Sequence, residues 1–151
     1  MPTIEPFEVV KVKGLRYEER RRGVGFLKSN TPNKEIDALK VYEALTAKKR
    51  QDLLNRFDYW MDEGVHDQYF HGWPNEPEHK NCFSFRWTEG KIRNRLYGFL
   101  YLSKGYSVCI LISHGAKTQE HTDPAHKKLA ERLRYDINVI RATKKTFTRL
   151  E

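Results

Sequence analysis

The chain has 151 residues, 38% of them hydrophobic, and 28 Lys and Arg against 20 Asp and Glu give a formal net charge of +8. That length suits one compact core and is short for two, and no run approaches the roughly 18 consecutive apolar residues of a membrane span. The opening "MPTIEPFEVVKVKG" lacks the apolar stretch of a secretory signal, so the expectation is one soluble, cytoplasmic domain over residues 1–151.

A positive surplus attracts polyanions, with nucleic acid foremost. It is concentrated in one place: from Lys91 to Gln119 there are five basic residues (Lys91, Arg93, Arg95, Lys104 and Lys117) and no acidic one. Cys82 and Cys109 both sit in apolar, strand-like runs, where a thiol behaves as a small buried hydrophobe, so no disulfide is expected.

In chain order, "FEVVKVK" (7–13) alternates and carries β-branched residues, which predicts a strand ending at Gly14. Residues 15–33 mix a basic cluster with glycines and turn formers and read as a loop or a short extra hairpin; Gly23 and Gly25 alone do not make a phosphate loop. Asn33 is a candidate cap for a helix over 34–45, with Ala38, Leu39, Tyr42 and Leu45 on one face. Thr46 can cap a second helix, 47–63, whose Leu53, Leu54, Phe57, Trp60 and Met61 form an apolar stripe before Gly64. Together they predict a helix hairpin.

Residues 64–81, rich in Gly, Pro, Asn and His, read as a long loop. Three extended runs follow, 82–87, 91–103 and 106–113, joined by connections short enough for an antiparallel meander. Period-2 geometry on the middle run puts Arg93, Arg95, Tyr97, Phe99 and Tyr101 on one face and Ile92, Leu96 and Leu100 on the other. The apolar face suits the helix hairpin; the other begins basic and becomes aromatic. A closing helix starts at "TDPAHKK", with Thr122 or Asp123 as cap and Pro124 in the first turn, and Leu129, Leu133, Ile137 and Ile140 mark its buried side. The tail over about 142–151 is expected to fray. The fold class is α+β, with a small antiparallel-rich sheet.

Over about residues 46–135 this order resembles the RelE/HigB-like toxin family of bacterial and phage toxin–antitoxin modules. The likeness is carried by "FRWTEGKIRNRLYGF", similar to the family's arginines on neighbouring strands, by the apolar strand "YSVCILISHGAKTQ" with its "HG" and "KT", and by "TDPAHKKLAERLR" opening a helix. The family usually has two adjacent lysines in the turn, whereas Ala116 precedes Lys117 here. The resemblance implies a RelE-like fold with strand 7–13 as its first strand, and a ribosome-dependent messenger RNA endonuclease silenced by a cognate antitoxin. It implies Arg86 and Arg95 as stabilisers of phosphate charge and Lys117 or His114 as the proton-moving group. Lys91, Arg93, Tyr97, Lys104 and Thr118 are the accompanying RNA contacts.

Plainer readings stand beside these. Arg93 or Arg95 could solvate a sheet face or pair with Glu89, His114 at a strand end could be a hydrogen-bonded structural histidine, and Tyr97 could be packing. His114, His121 and His126, even with His79 and Cys82, match no tight metal-ligand spacing, so no metal or other cofactor is expected. Two further functions remain open: a non-catalytic nucleic-acid- or protein-binding module on the same fold, including a ParE-like gyrase inhibitor, and a phage or mobile-element protein whose basic surface meets an acidic protein.

Overall fold

The structure, a computed structural model, describes residues 5–64, 70–103, 105–117 and 124–150, with Lys117 described by its backbone alone. Its strands are β1 (Phe7–Lys11), β2 (Arg22–Ser29), β3 (Phe70–Gly72), β4 (Cys82–Glu89), β5 (Ile92–Ser103) and β6 (Tyr106–Lys117). Its helices are α1 (Ala38–Ala44), α2 (Ala47–Glu63), α3 (Pro124–Arg134) and α4 (Ile137–Thr146). The six strands form one mixed sheet in the order β1-β2-β6-β5-β4-β3, antiparallel throughout except that β2 runs parallel to β6. No helix among the described residues is long and apolar enough to cross a membrane.

The helix hairpin forms as its signals require. The Thr46 hydroxyl accepts the Lys49 amide at 3.3 Å, and Gly64, at a φ of 88°, ends α2 in a conformation that glycine adopts without strain. Leu53, Phe57, Trp60 and Met61 are buried against Phe26, Phe83, Phe85 and Leu96 on one face of the sheet. α1 is shorter than the 34–45 expected. Asn33 Oδ1 accepts the Glu35 amide in a local turn, and α1 begins after Asp37, whose carboxylate accepts the His114 amide of β6 at 2.8 Å rather than capping the helix.

Three expectations are corrected. Residues 15–33 are not all loop: they contain β2, which lies inside the sheet and separates β1 from the meander. Two glycines suggested a turn, yet here they clear space for a distant ring. A Cβ on Gly23 would lie 2.8 Å from Phe147 Cε1, and one on Gly25 would lie 3.0 Å from Phe147 Cε2. For the same reason the tail does not fray, since Phe147 is 2% exposed and Leu150 is also buried. Finally, the closing helix is two helices. Asp136 accepts the Asn138 and Val139 amides and starts α4, which leaves Ile137 exposed rather than buried.

Helices therefore cover both faces. α1 and α2 lie on one, hereafter the hairpin face; α3 packs on β5 and α4 on β1 on the other, the terminal-helix face. Cys82, Phe99, Val108, Ile110, Ile112, Leu129, Leu133 and Val139 fill this second core. The expected aromatic end of the second face is thus under helices, and only its basic end continues beyond them. Both cysteines are free and buried.

A bulge in β6 decides which side chains share a face. Tyr97 pairs with Ser113 but Gly98 with Leu111, so Ile112 is an extra residue. The strands approach closely there: a Cβ on Gly98 would lie 1.9 Å from the Ile110 carbonyl oxygen. Beyond the bulge the alternation is reversed, and Ser113 and Gly115 take the terminal-helix face while His114 takes the hairpin face.

Candidate nucleic-acid interface

The free ends of β4, β5 and β6 carry the chemistry. In register, Arg86 faces Arg95, which faces Gly115; the next row outward is Thr88, Arg93 and Lys117, and the next row inward is Ser84, Tyr97 and Ser113. At this end of the β4–β5 hairpin a cleft of about 400 Å³ is lined by Arg86, Arg93 and Arg95, by Arg56 from α2, and by Trp87, Thr88 and Asn94. Arg95 is 8% exposed and Arg86 half-buried. Like charges directly opposite on neighbouring strands destabilise a sheet, and an anion held between them removes that penalty. Guanidinium groups suit this because each presents a planar fork of donors that matches two phosphate oxygens.

Beside this row stands a residue not anticipated for this role. His126, in the first turn of α3, shares a 2.9 Å hydrogen bond between its Nδ1 and Ser113 Oγ and stacks on Tyr97, with ring centroids 4.4 Å apart and planes 12° from parallel. Trp73 stacks on Tyr97 at 6.3 Å. Gly115, the partner of Arg95, makes room for the pair: a Cβ there would lie 2.8 Å from Tyr97 Cε2 and 3.0 Å from His126 Nε2. The bond to Ser113 fixes Nδ1 and so turns Nε2 toward the strand position beside Arg95. The sequence carried a signal for this. Pro124 marks the first turn of a helix, and a histidine two residues later falls in that same turn, next to the strand end that the helix follows.

His114 touches two of the residues that line the cleft, but from the hairpin face. Its Nε2–H donates to Asn94 Oδ1 at 2.8 Å, its amide is held by Asp37, and its ring lies 5.7 Å from that of Trp87 on the hairpin face. Burial holds its pKa below the ordinary imidazole value, helped by His126 and opposed by the Asp37 and Glu89 carboxylates. Strict alternation from Ile110 would have put His114 on the face of Arg86 and Arg95; the bulge at Ile112 turns it to the opposite face, beside Asn94 and Trp87. Tyr97, expected to stack on a base, is 3% exposed with one ring face against His126, so it is packing here.

Of the other anticipated contacts, Lys91 is exposed in the β4–β5 turn and Arg93 lines the cleft. The backbone of Lys117 lies opposite Arg93. Lys104, Thr118, His121 and the caps Thr122 and Asp123 lie outside the described residues. His114 and His126 occupy opposite faces of the sheet and do not share a metal. Comparison with family models, with curated proteins and with solved structures finds no match for the chain.

Proposed function

We propose that this cleft holds the backbone of RNA and that the chain is a RelE/HigB-like toxin, a ribosome-dependent messenger RNA endonuclease held in check by a cognate antitoxin. The observation that carries the reading is the convergence of Arg56, Arg86, Arg93 and Arg95 on one cleft, with His126 one strand away. The order of elements supports it too: a strand parallel to the last strand, then a helix hairpin, a meander and a closing helix follow the plan that the resemblance implies. β2 takes the place there that residues 7–13 were expected to fill, and β1 and β3 extend the sheet at its two edges.

The placement supports the following chemistry. The ribose 2′-oxygen attacks the adjacent phosphorus, the bond from phosphorus to the 5′ oxygen breaks, and the products end in a 2′,3′-cyclic phosphate and a 5′-hydroxyl. His126 takes the proton from the 2′-hydroxyl, and Lys117, opposite Arg93, is the candidate donor to the leaving oxygen. The arginine forks stabilise the extra negative charge on the phosphate as it becomes five-coordinate.

Binding to a short single-stranded RNA, followed by fluorescence anisotropy across a salt series, tests the cleft. Each phosphate neutralised on a single strand contributes a slope of about −0.7 in log affinity against log salt, so three or four contacts predict about −2 to −3. Arg95→Ala is expected to flatten it by about 0.7. An unchanged slope would remove Arg95 from the interface, and salt-insensitive binding would point to a protein partner.

One observation favours a second reading. With His114 turned to the other face, proton transfer rests on His126 and Lys117, and the resemblance implied no role for His126. A non-catalytic binder on this fold, including a gyrase inhibitor, keeps the arginine cleft and needs neither of them.

A further inference from the structure

Away from the arginine cleft, among the described residues, one His, one Cys and one Glu gather where three elements meet. His79 ends the 3-10 turn Pro77–His79, Cys82 opens β4, and Glu131 lies on α3. One ligand atom from each lies within 4.8 Å of the other two. Cys82 Sγ is 3.9 Å from Glu131 Oε2 and 3.5 Å from the carbonyl oxygen of Lys127. We propose that His79, Cys82 and Glu131 bind a zinc-class divalent cation that ties the start of β4 to α3.

Four features carry this. His79 and Cys82 are separated by two residues, the spacing that lets one tight turn aim two side chains at a single ion. Donor atoms around one zinc ion lie roughly 3 to 4 Å apart, given bonds of about 2.0–2.3 Å, so this group closes on an ion with small side-chain adjustments. His79 Nδ1 is shut off from solvent with no hydrogen-bond partner, an expensive state for a polar atom that a metal bond relieves. The donor set of thiolate, imidazole and carboxylate suits zinc, and its two negative charges balance a divalent ion.

The nearby cations do not fill the place: Arg134 donates to the Leu100 carbonyl oxygen. Lys127 Nζ is held 2.8 Å from Glu76 and stands over the Trp73 ring, although its carbonyl oxygen faces Cys82. That carbonyl or a water supplies the fourth ligand. His79 and Glu131 are half-buried, so the site is reachable from solvent. Only the His79–Cys82 half of this site is local in sequence; Glu131 is far along the chain and joins it through the packing of α3. This inference is independent of the nucleic-acid reading.

The test uses the full chain without an affinity tag, reduced with a phosphine, and titrated with cobalt chloride and then zinc chloride under ultraviolet–visible spectroscopy. One cobalt ion per chain is expected, with thiolate-to-cobalt charge-transfer absorption that zinc abolishes, and zinc is expected to raise the unfolding temperature. His79→Gln and Glu131→Gln each weaken zinc binding by more than the roughly 10- to 100-fold that loss of an outer-shell partner costs. Cys82→Ser abolishes the charge-transfer band, and Cys109→Ala keeps it. A wild-type titration without that band, a band that survives Cys82→Ser, or zinc affinity unchanged in His79→Gln overturns the proposal. Should Cys82→Ser fail to fold, the two glutamine variants decide it.

Discussion

Two histidines 12 positions apart, at the end of β6 and the start of α3, take opposite roles because of which face each side chain meets. His114 is enclosed by Asn94, Trp87 and Asp37, whereas His126 is held by Ser113 over a glycine beside Arg95. Burial keeps the His114 pKa below its ordinary value, so as pH falls through about 6.5 the unfolded chain takes up a proton that the folded chain refuses. Stability rises with pH wherever the unfolded state binds more protons. The stability owed to neutral His114 is therefore complete above that pH and declines below it until the folded ring itself protonates. Thermal unfolding followed from about pH 7.5 to about 5.5 is expected to show a steeper loss in wild type than in His114→Gln. Parallel curves would mean that the ring is not protected.

At the scale of elements, the legible parts were those whose signals are local. Thr46, the stripe from Leu53 to Met61, and Gly64 defined α2 to the residue, and the short turns around Gly90 and Gly105 defined the meander. β2 was hidden because its signal is tertiary: "RGVGFLKS" reads as a turn until the Phe147 ring is placed over Gly23 and Gly25. The β6 bulge was hidden for a similar reason, and with it the true positions of His114 and Ser113. One clue was available. The nearly continuous apolar run in β6 is the pattern of a strand covered on both faces, which would have argued against a largely open second face. The lock between β2 and the tail can be measured by chemical denaturation. Phe147→Ala is expected to cost about 3–5 kcal/mol and Gly23→Ala about 1–3 kcal/mol. In the double variant the alanine methyl enters the vacated space, so the total should fall short of the sum by about 0.5–3 kcal/mol. Strict additivity would show that the two residues do not meet.

At the scale of the whole molecule, helices cover both faces of the sheet, and the arginine cleft lies at the end of the β4–β5 hairpin. The composition announced a basic protein, and the acid-free stretch from Lys91 to Gln119 announced where; Arg93 and Arg95 were legible from strand spacing, and Arg86 from the family resemblance. Arg56 was not, since a helix residue reaches the cleft only after α2 packs across the sheet. His126 was visible only as a helix-start residue, without the face it would meet. The proposed function makes one claim above the rest, that the arginine row and His126 act together on a single RNA phosphate. Mapping the 5′ ends of translated messages by primer extension, after induction of wild-type, Arg95→Ala, His126→Ala and His114→Ala chains of verified fold, tests it most directly. New ends are expected with wild type and His114→Ala. They should fall about 100- to 1,000-fold with Arg95→Ala and about 100- to 10,000-fold with His126→Ala. Intact messages under growth-arresting wild-type protein, or cleavage undiminished in His126→Ala, would contradict it.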